Sequence, residues 1–151
     1  MVAFNIKSSL QAISSYIQAS GYVQKSTIGE PESPPTERLA ASVYMGNTAI
    51  VSLTLNTTIE VHTVIVRFYM DMLREPTEQI EFKLAEVVSG IFNDLLGEYD
   101  LGATIRNIDA AGSHGTSLGA VWGYTDVGGK MFRVVDLSIP LLVDDSATLA
   151  A

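Results

Sequence analysis

The stretch whose reading decides the fold is YTDVGGKMFRVVDLSIPLLV, Tyr124 to Val143. In its second half Val135, Leu137, Ile139 and Leu141 fall on one side of an extended chain. Asp136, Ser138 and Pro140 fall on the other. Successive side chains on a strand point to opposite faces, so this spacing predicts a strand with one apolar and one mixed face. Gly128-Gly129 supplies a two-residue hairpin turn, which folds Met131–Val143 back on Leu118–Asp126. Pro140 lacks an amide donor, and the reading places the last strand at a sheet edge.

Outward from this hairpin, Ala103–Asp109 reads as a further strand. Before it, Ile80, Leu84, Val87, Val88, Ile91 and Leu95 recur at spacings of three and four, the stripe of an amphipathic helix. Pro76 suits its first turn, Glu75 and Glu78 favour the positive end of its dipole, and Gly97 ends it. Leu39–Met45 and Ala49–Asn56 alternate apolar and polar residues, with Gly46-Asn47 as a turn between two strands. Ile59–Met70 is apolar on both faces in its second half apart from Arg67, which predicts a strand covered on both sides. Asn5–Ser20 carries Ile6, Leu10, Ile13 and Ile17 as a second helical stripe, stopped at Gly21. Ser26–Glu37 holds three of the five prolines and reads as a stiff, extended loop. The expected fold is α+β: about six mainly antiparallel strands and two helices, in the order α-β-β-β-α-β-β-β, as one domain over residues 1–151.

Composition narrows the function classes. The chain has 151 residues, enough to bury roughly 70% of its unfolded surface. Apolar residues make up 47% and charged residues 17%, a lean surface charge that fits a protein partly covered by partners. With no cysteine there is no disulfide framework and no thiolate metal site. The net charge is −8 and the nine basic residues are scattered, so the chain repels a phosphate backbone rather than holding it. The opening MVAFNIKSSLQAISSYIQAS does not read as a secretion signal, and no run of 18 apolar residues suggests a membrane span.

Motifs for catalysis are few. The two histidines, His62 and His114, have no metal-ligand spacing, and Ser113-His114 is not a nucleophile motif. Val127–Lys130 brushes against a phosphate loop, but Tyr124 stands where its first glycine belongs and Met131 where it needs Ser or Thr. Gly112–Gly115, GSHG, has the outline of a nucleic-acid clamp but lacks basic neighbours. Asn56-Thr57-Thr58 matches a glycosylation sequon without a secretion signal to make it relevant. Asp144-Asp145 and Glu98/Asp100 read as solvated charge. No catalytic residue, cofactor site or metal site is expected.

The order of these pieces resembles the tail terminator family of long-tailed bacteriophages, over nearly the whole chain. It runs from an opening helix to IGEPESPP (Ile28–Pro35), LAASVYMG (Leu39–Gly46) and VIVRFYMDML (Val64–Leu73). A Pro-started helix, LGATIRNID (Leu101–Asp109) and the closing YTDVGGKMFRVVDLSIPLLV follow; the GGK-aromatic-Arg opening and Ile-Pro of that last strand are the most specific match. The resemblance implies a virion protein that forms a six-subunit ring on the head-proximal end of the tail tube. It would stop tube growth at the length set by the tape-measure protein and offer a docking surface to the head's neck. Its partners would be itself, the tail tube protein and a head-closure or neck protein, with the genome passing through the ring unbound. The alternatives are a head-closure or neck adaptor, a monomeric binding module and a small enzyme with a cryptic acidic site.

Two segments are the expected contacts. One is the proline-stiffened loop with Glu30, Pro31, Glu32, Ser33, Pro34 and Pro35. The other is the glycine-rich Ala110–Leu118, with Gly112, Ser113, His114 and Gly115. Glu30, Glu32, Asp109 and Asp126, in or beside loops, are the candidates for an acidic channel wall that keeps DNA from sticking.

Overall fold

The computed structural model describes residues 6–36, 38–53, 58–73, 76–97, 107–109, 112 and 117–145. The elements run α1 (Ile6–Ala19), β1 (Lys25–Ile28), β2 (Leu39–Leu53), β3 (Thr58–Asp71), α2 (Thr77–Gly97), β4 (Asn107–Ile108), β5 (Gly119–Val127) and β6 (Lys130–Asp145). Five strands lie in the order β1-β2-β3-β6-β4, and β5 pairs with β6 beside this path. The fold is α+β, as expected, but the sheet is mixed: β1 runs parallel to β2 while the other pairings are antiparallel.

Registers explain the layering. Ala41 lies opposite Phe68 and Val43 opposite Val66, while Phe68 meets Val135, Val66 meets Leu137 and Val64 meets Ile139. The alternating apolar positions of three strands therefore share one face. Both helices pack on it: Ile13 and Ile17 from α1, and Ile80, Leu84, Val87, Val88, Ile91 and Leu95 from α2, are all buried there. Each such side chain stabilises by roughly 1.5–3 kcal/mol relative to exposure, so this face anchors the fold. Ser20 ends α1, its Oγ donating to the Ile17 carbonyl and accepting from the Tyr22 amide.

Three expectations are corrected. The strands expected at Leu39–Met45 and Ala49–Asn56 are one strand, β2, and Gly46-Asn47 is not a turn. The pairing with β3 slips between Met45 and Asn47 and again between Ile50 and Ser52, so the extra residues are absorbed as irregularities. A Cβ on Gly46 would lie 2.8 Å from Ile65 Cγ1, so glycine here permits close strand approach rather than reversal. The loop expected from Ser26 begins as strand β1, because Lys25–Ile28 finds backbone partners along Ala40–Val43. Finally, β6 is an interior strand despite Pro140: β3 lies on one side, β5 and β4 on the other. The Pro140 carbonyl accepts from the Asp109 amide, so its missing donor faces that same side. There β5 stops pairing at Ser138 and β4 begins at Leu141, so proline sits at the seam where no ladder bond is lost.

Of the strand expected at Ala103–Asp109, residues 103–106 lie outside the described residues, as do Asn56 and Glu37. No helix among the described residues is long and apolar enough to cross a membrane.

Candidate functional site

The face of the sheet turned away from the helices carries the second set of alternating residues. Tyr69, Phe132 and Val134 form a small buried cluster there, with Val127 against it. The Tyr69 and Phe132 rings meet edge to face at 5.9 Å, and Tyr69 Oη lies 3.2 Å from Ser42 Oγ. Lys130 Nζ reaches Asp71 at 2.8 Å and stands over the Phe132 ring, securing the start of β6 to the end of β3. Next along the face, Arg67 and Asp136 form a two-point ion pair, with Nε and Nη2 at 2.6 and 2.9 Å from the two carboxylate oxygens. That hydrogen bonding raises the Arg67 pKa further above its ordinary value, so its charge is permanent. Tyr44 lies beside it with its ring 5.8 Å from the guanidinium. Burial, then the nearby Asp136 charge, pushes the Tyr44 phenol up to about 12.

The proline loop lies over one end of this face. Pro31, Pro34 and Pro35 are half-buried while Glu30, Glu32 and Ser33 are exposed, so the rings rest on protein and the acids point to solvent. Pro34 reaches the β5–β6 turn: a Cβ on Gly128 would lie 3.0 Å from Pro34 Cδ. Between loop and sheet is a groove of about 490 Å³, lined among others by Lys25, Ser33, Pro34, Ser42 and Tyr69.

Of the second expected contact segment, Gly112, Ser117 and Leu118 are described, and none of them lines this groove. Gly112 follows β4, its amide donating to the Asp109 carbonyl; Ser113, His114 and Gly115 lie outside the described residues. Asp109 bonds at Pro140 while Pro34 meets Gly128, so these two anchor points are some twelve residues apart along β6 and its turn, on the order of 40 Å. Asp109 is also only 6% exposed, which removes it from the candidates for an acidic channel wall: burial by β4 and β6 turns it inward. Glu30, Glu32 and Asp126 are exposed, and Asp126 Oδ1 accepts the Gly129 amide, shaping the turn.

Sequence reasoning placed a sheet edge at the last strand; among the described residues the open edge lies one strand further out, on β5. Gly128 and Gly129 have φ of +59° and +86°, the left-handed pair of a type I′ turn, so Val127 and Lys130 form the first hydrogen-bonded pair. Alternation from that pair turns the backbone groups of Ala120, Trp122, Tyr124 and Asp126 away from β6. Among the described residues no strand takes them up. The register of β5 on β6 runs without a slip for nine residues, and GAVWGYTDV contains no proline or lysine to deter pairing. Val121 is 70% exposed, Tyr124 60% and Trp122 36%. The Arg133 guanidinium holds Tyr124 by stacking 4.5 Å from its ring, and itself bonds Glu81 of α2. At the opposite margin β1 pairs only Ala40–Val43 of β2, and from Tyr44 to Leu53 no strand among the described residues lies on the outer side of β2. There the Ser26 amide is taken by Gln18 Oε1 and its Oγ lies 2.9 Å from Ser14 Oγ, so α1 covers β1.

His62 bridges Thr48 and Glu60 across β2 and β3 at 3.2 and 3.4 Å, a surface link. Among the described residues no group of three or more acidic or histidine side chains is placed to hold a metal ion. What the site offers chemically is backbone donors and acceptors at one edge, flanked by aromatic rings, and a proline-covered acidic end.

No protein-family model matches this chain, and no curated protein matches its sequence.

Proposed function

We propose that this protein is a non-enzymatic virion subunit of a long-tailed phage, a tail terminator that forms a ring of six on the head-proximal end of the tail tube. The ring ends tube polymerisation and presents the joint to the head-closure or neck protein. The observation that carries this reading is the β5 edge: nine residues long, straight in register, aromatic, and without the lysines or prolines that protect edges of monomeric proteins. The opposite margin differs: α1 lies over β1, and β2 runs on from Tyr44 to Leu53 with no strand on its outer side among the described residues, so the two open edges are unlike and a contact between unlike surfaces of successive copies is head-to-tail. Such contacts close into a ring when the rotation between copies divides the circle.

The proline loop and β5–β6 turn form the end that meets the tube or the neighbouring subunit. The net charge of −8 suits a channel through which DNA passes unbound, with Glu30, Glu32 and Asp126 as the exposed acids that line it. The test is tail assembly with and without this protein. Tube polymerised in its presence should stop at a fixed length with this chain at one end, and tube made without it should overrun. Tubes of equal length in both cases would remove the reading.

A further inference from the structure

The free edge of β5 is complementary to itself, and we propose that away from the tail two copies of this chain pair β5 against β5 about a two-fold axis through Gly123. The inference rests on the function proposed above only in that the ring contact uses the same edge, so the two-fold pair regulates it by withholding the edge until assembly.

The outward backbone groups belong to Ala120, Trp122, Tyr124 and Asp126, so these residues make the hydrogen-bonded pairs of any added strand. With Gly123 on the axis, Trp122 faces the partner's Tyr124 and Tyr124 faces the partner's Trp122. Ala120 faces the partner's Asp126, and all nine residues from Gly119 to Val127 find an opposite. Moving the axis to Trp122 or Tyr124 loses pairs at one end. Aromatic residues directly opposite each other stabilise antiparallel strands, and like charges opposite each other destabilise them. In this register the only charged residues of the strand, the two Asp126, end up six positions apart, on the order of 20 Å and beyond a Debye length at physiological salt. Gly123 meets its own copy at the axis, where a non-hydrogen-bonded pair brings Cα atoms within about 4.5 Å. At the opposite margin β1 offers four residues with the Ser26 amide already engaged, and the outer side of β2 beyond it is broken by register shifts at Met45/Asn47 and Ile50/Ser52, unlike the unslipped β5.

The chain has no cysteine, so introduced thiols report without background. A Cβ on Gly123 meets only Val134 Cγ2, at 3.9 Å, so Gly123→Cys fits the subunit. Opposed residues at this spacing lie within disulfide reach. Under mild oxidation the full chain carrying Gly123→Cys should become a covalent dimer. An equimolar mixture of Val121→Cys and Thr125→Cys proteins should cross-link where neither does alone. Added salt should raise the dimer fraction, because each copy carries −8. If both designs stay uncross-linked and the free protein has monomer mass, the two-fold pair is overturned and the ring proposal stands. If Gly123→Cys cross-links persist among subunits bound at tail ends, the pair is upheld and the ring contact is overturned.

Discussion

Arg67 and Asp136 join the two central strands through paired hydrogen bonds of 2.6 and 2.9 Å, although they are 69 residues apart in sequence. Their side chains are 22% and 29% exposed, so solvent screens the pair only partly. Asp136→Asn keeps the shape and removes the charge, and should cost about 1–2 kcal/mol in urea unfolding. Replacing both residues by leucine should cost less than the single change, because no unpaired guanidinium is left behind. A double variant that is the worse of the two would show that the pair contributes net stability.

Tyr44 makes the same patch sensitive to alkali. Its phenol is raised by burial and then by Asp136 to about 12, against an unfolded value near 10. The folded state keeps the proton more tightly, so this contribution is complete below pH 10 and is lost as pH rises towards 12. Tyr44→Phe should lose less stability than wild type between those values. Parallel unfolding curves at both ends of the window would remove Tyr44 as the source.

Tyr22 packs directly over Gly90 of α2, where an added Cβ would collide with the phenol oxygen and ring. Alanine is the better helix former by about 1 kcal/mol, yet Gly90→Ala should destabilise the wild type. In a Tyr22→Ala background the same substitution should stabilise. Thermal melts of the four proteins would read this change of sign, and an unchanged sign would exclude the contact.

The proline loop is held by the hairpin turn through Pro34 and Gly128. Gly128→Asn suits the left-handed backbone there, so its cost comes from the collision with Pro34. The cost should be largely recovered by Pro34→Gly in denaturant titration. Recovery by neither Pro34→Gly nor Pro34→Ala would mean the loop does not dock on the turn.

How far the sequence could be read follows from what each element depends on. Helix α2 was legible because six apolar residues at helical spacing specify a buried stripe without knowledge of the partner. β6 was legible as a strand for the same reason, but its central position was not. Pro140 argues for an edge unless the seam between β5 and β4 is known, and that seam depends on residues far away in sequence. β1 carries no alternation in four residues, and only the parallel ladder with β2 makes it a strand. Gly46-Asn47 has turn chemistry, yet the continued register with β3 on both sides overrides it. Of the candidate site, the proline loop and its exposed acids were visible as composition. Asp109 was misread because nothing local signals burial. The β5 edge was not read from GAVWGYTDV, because only the topology shows that among the described residues no strand pairs with its outer side.

The ring we propose closes at one end of a tail tube through the β5 edge. Its most direct test is to image assembled tails and count the copies at the head-proximal end, with wild type, with Tyr124→Lys, which puts a charge on the edge, and with Tyr124→Ala, which loses the Arg133 stacking alone and should still cap the tube. The account predicts six wild-type copies in one ring, and folded Tyr124→Lys protein that fails to cap the tube. A copy number incompatible with sixfold symmetry, or a Tyr124→Lys ring as complete as the wild type, would contradict it.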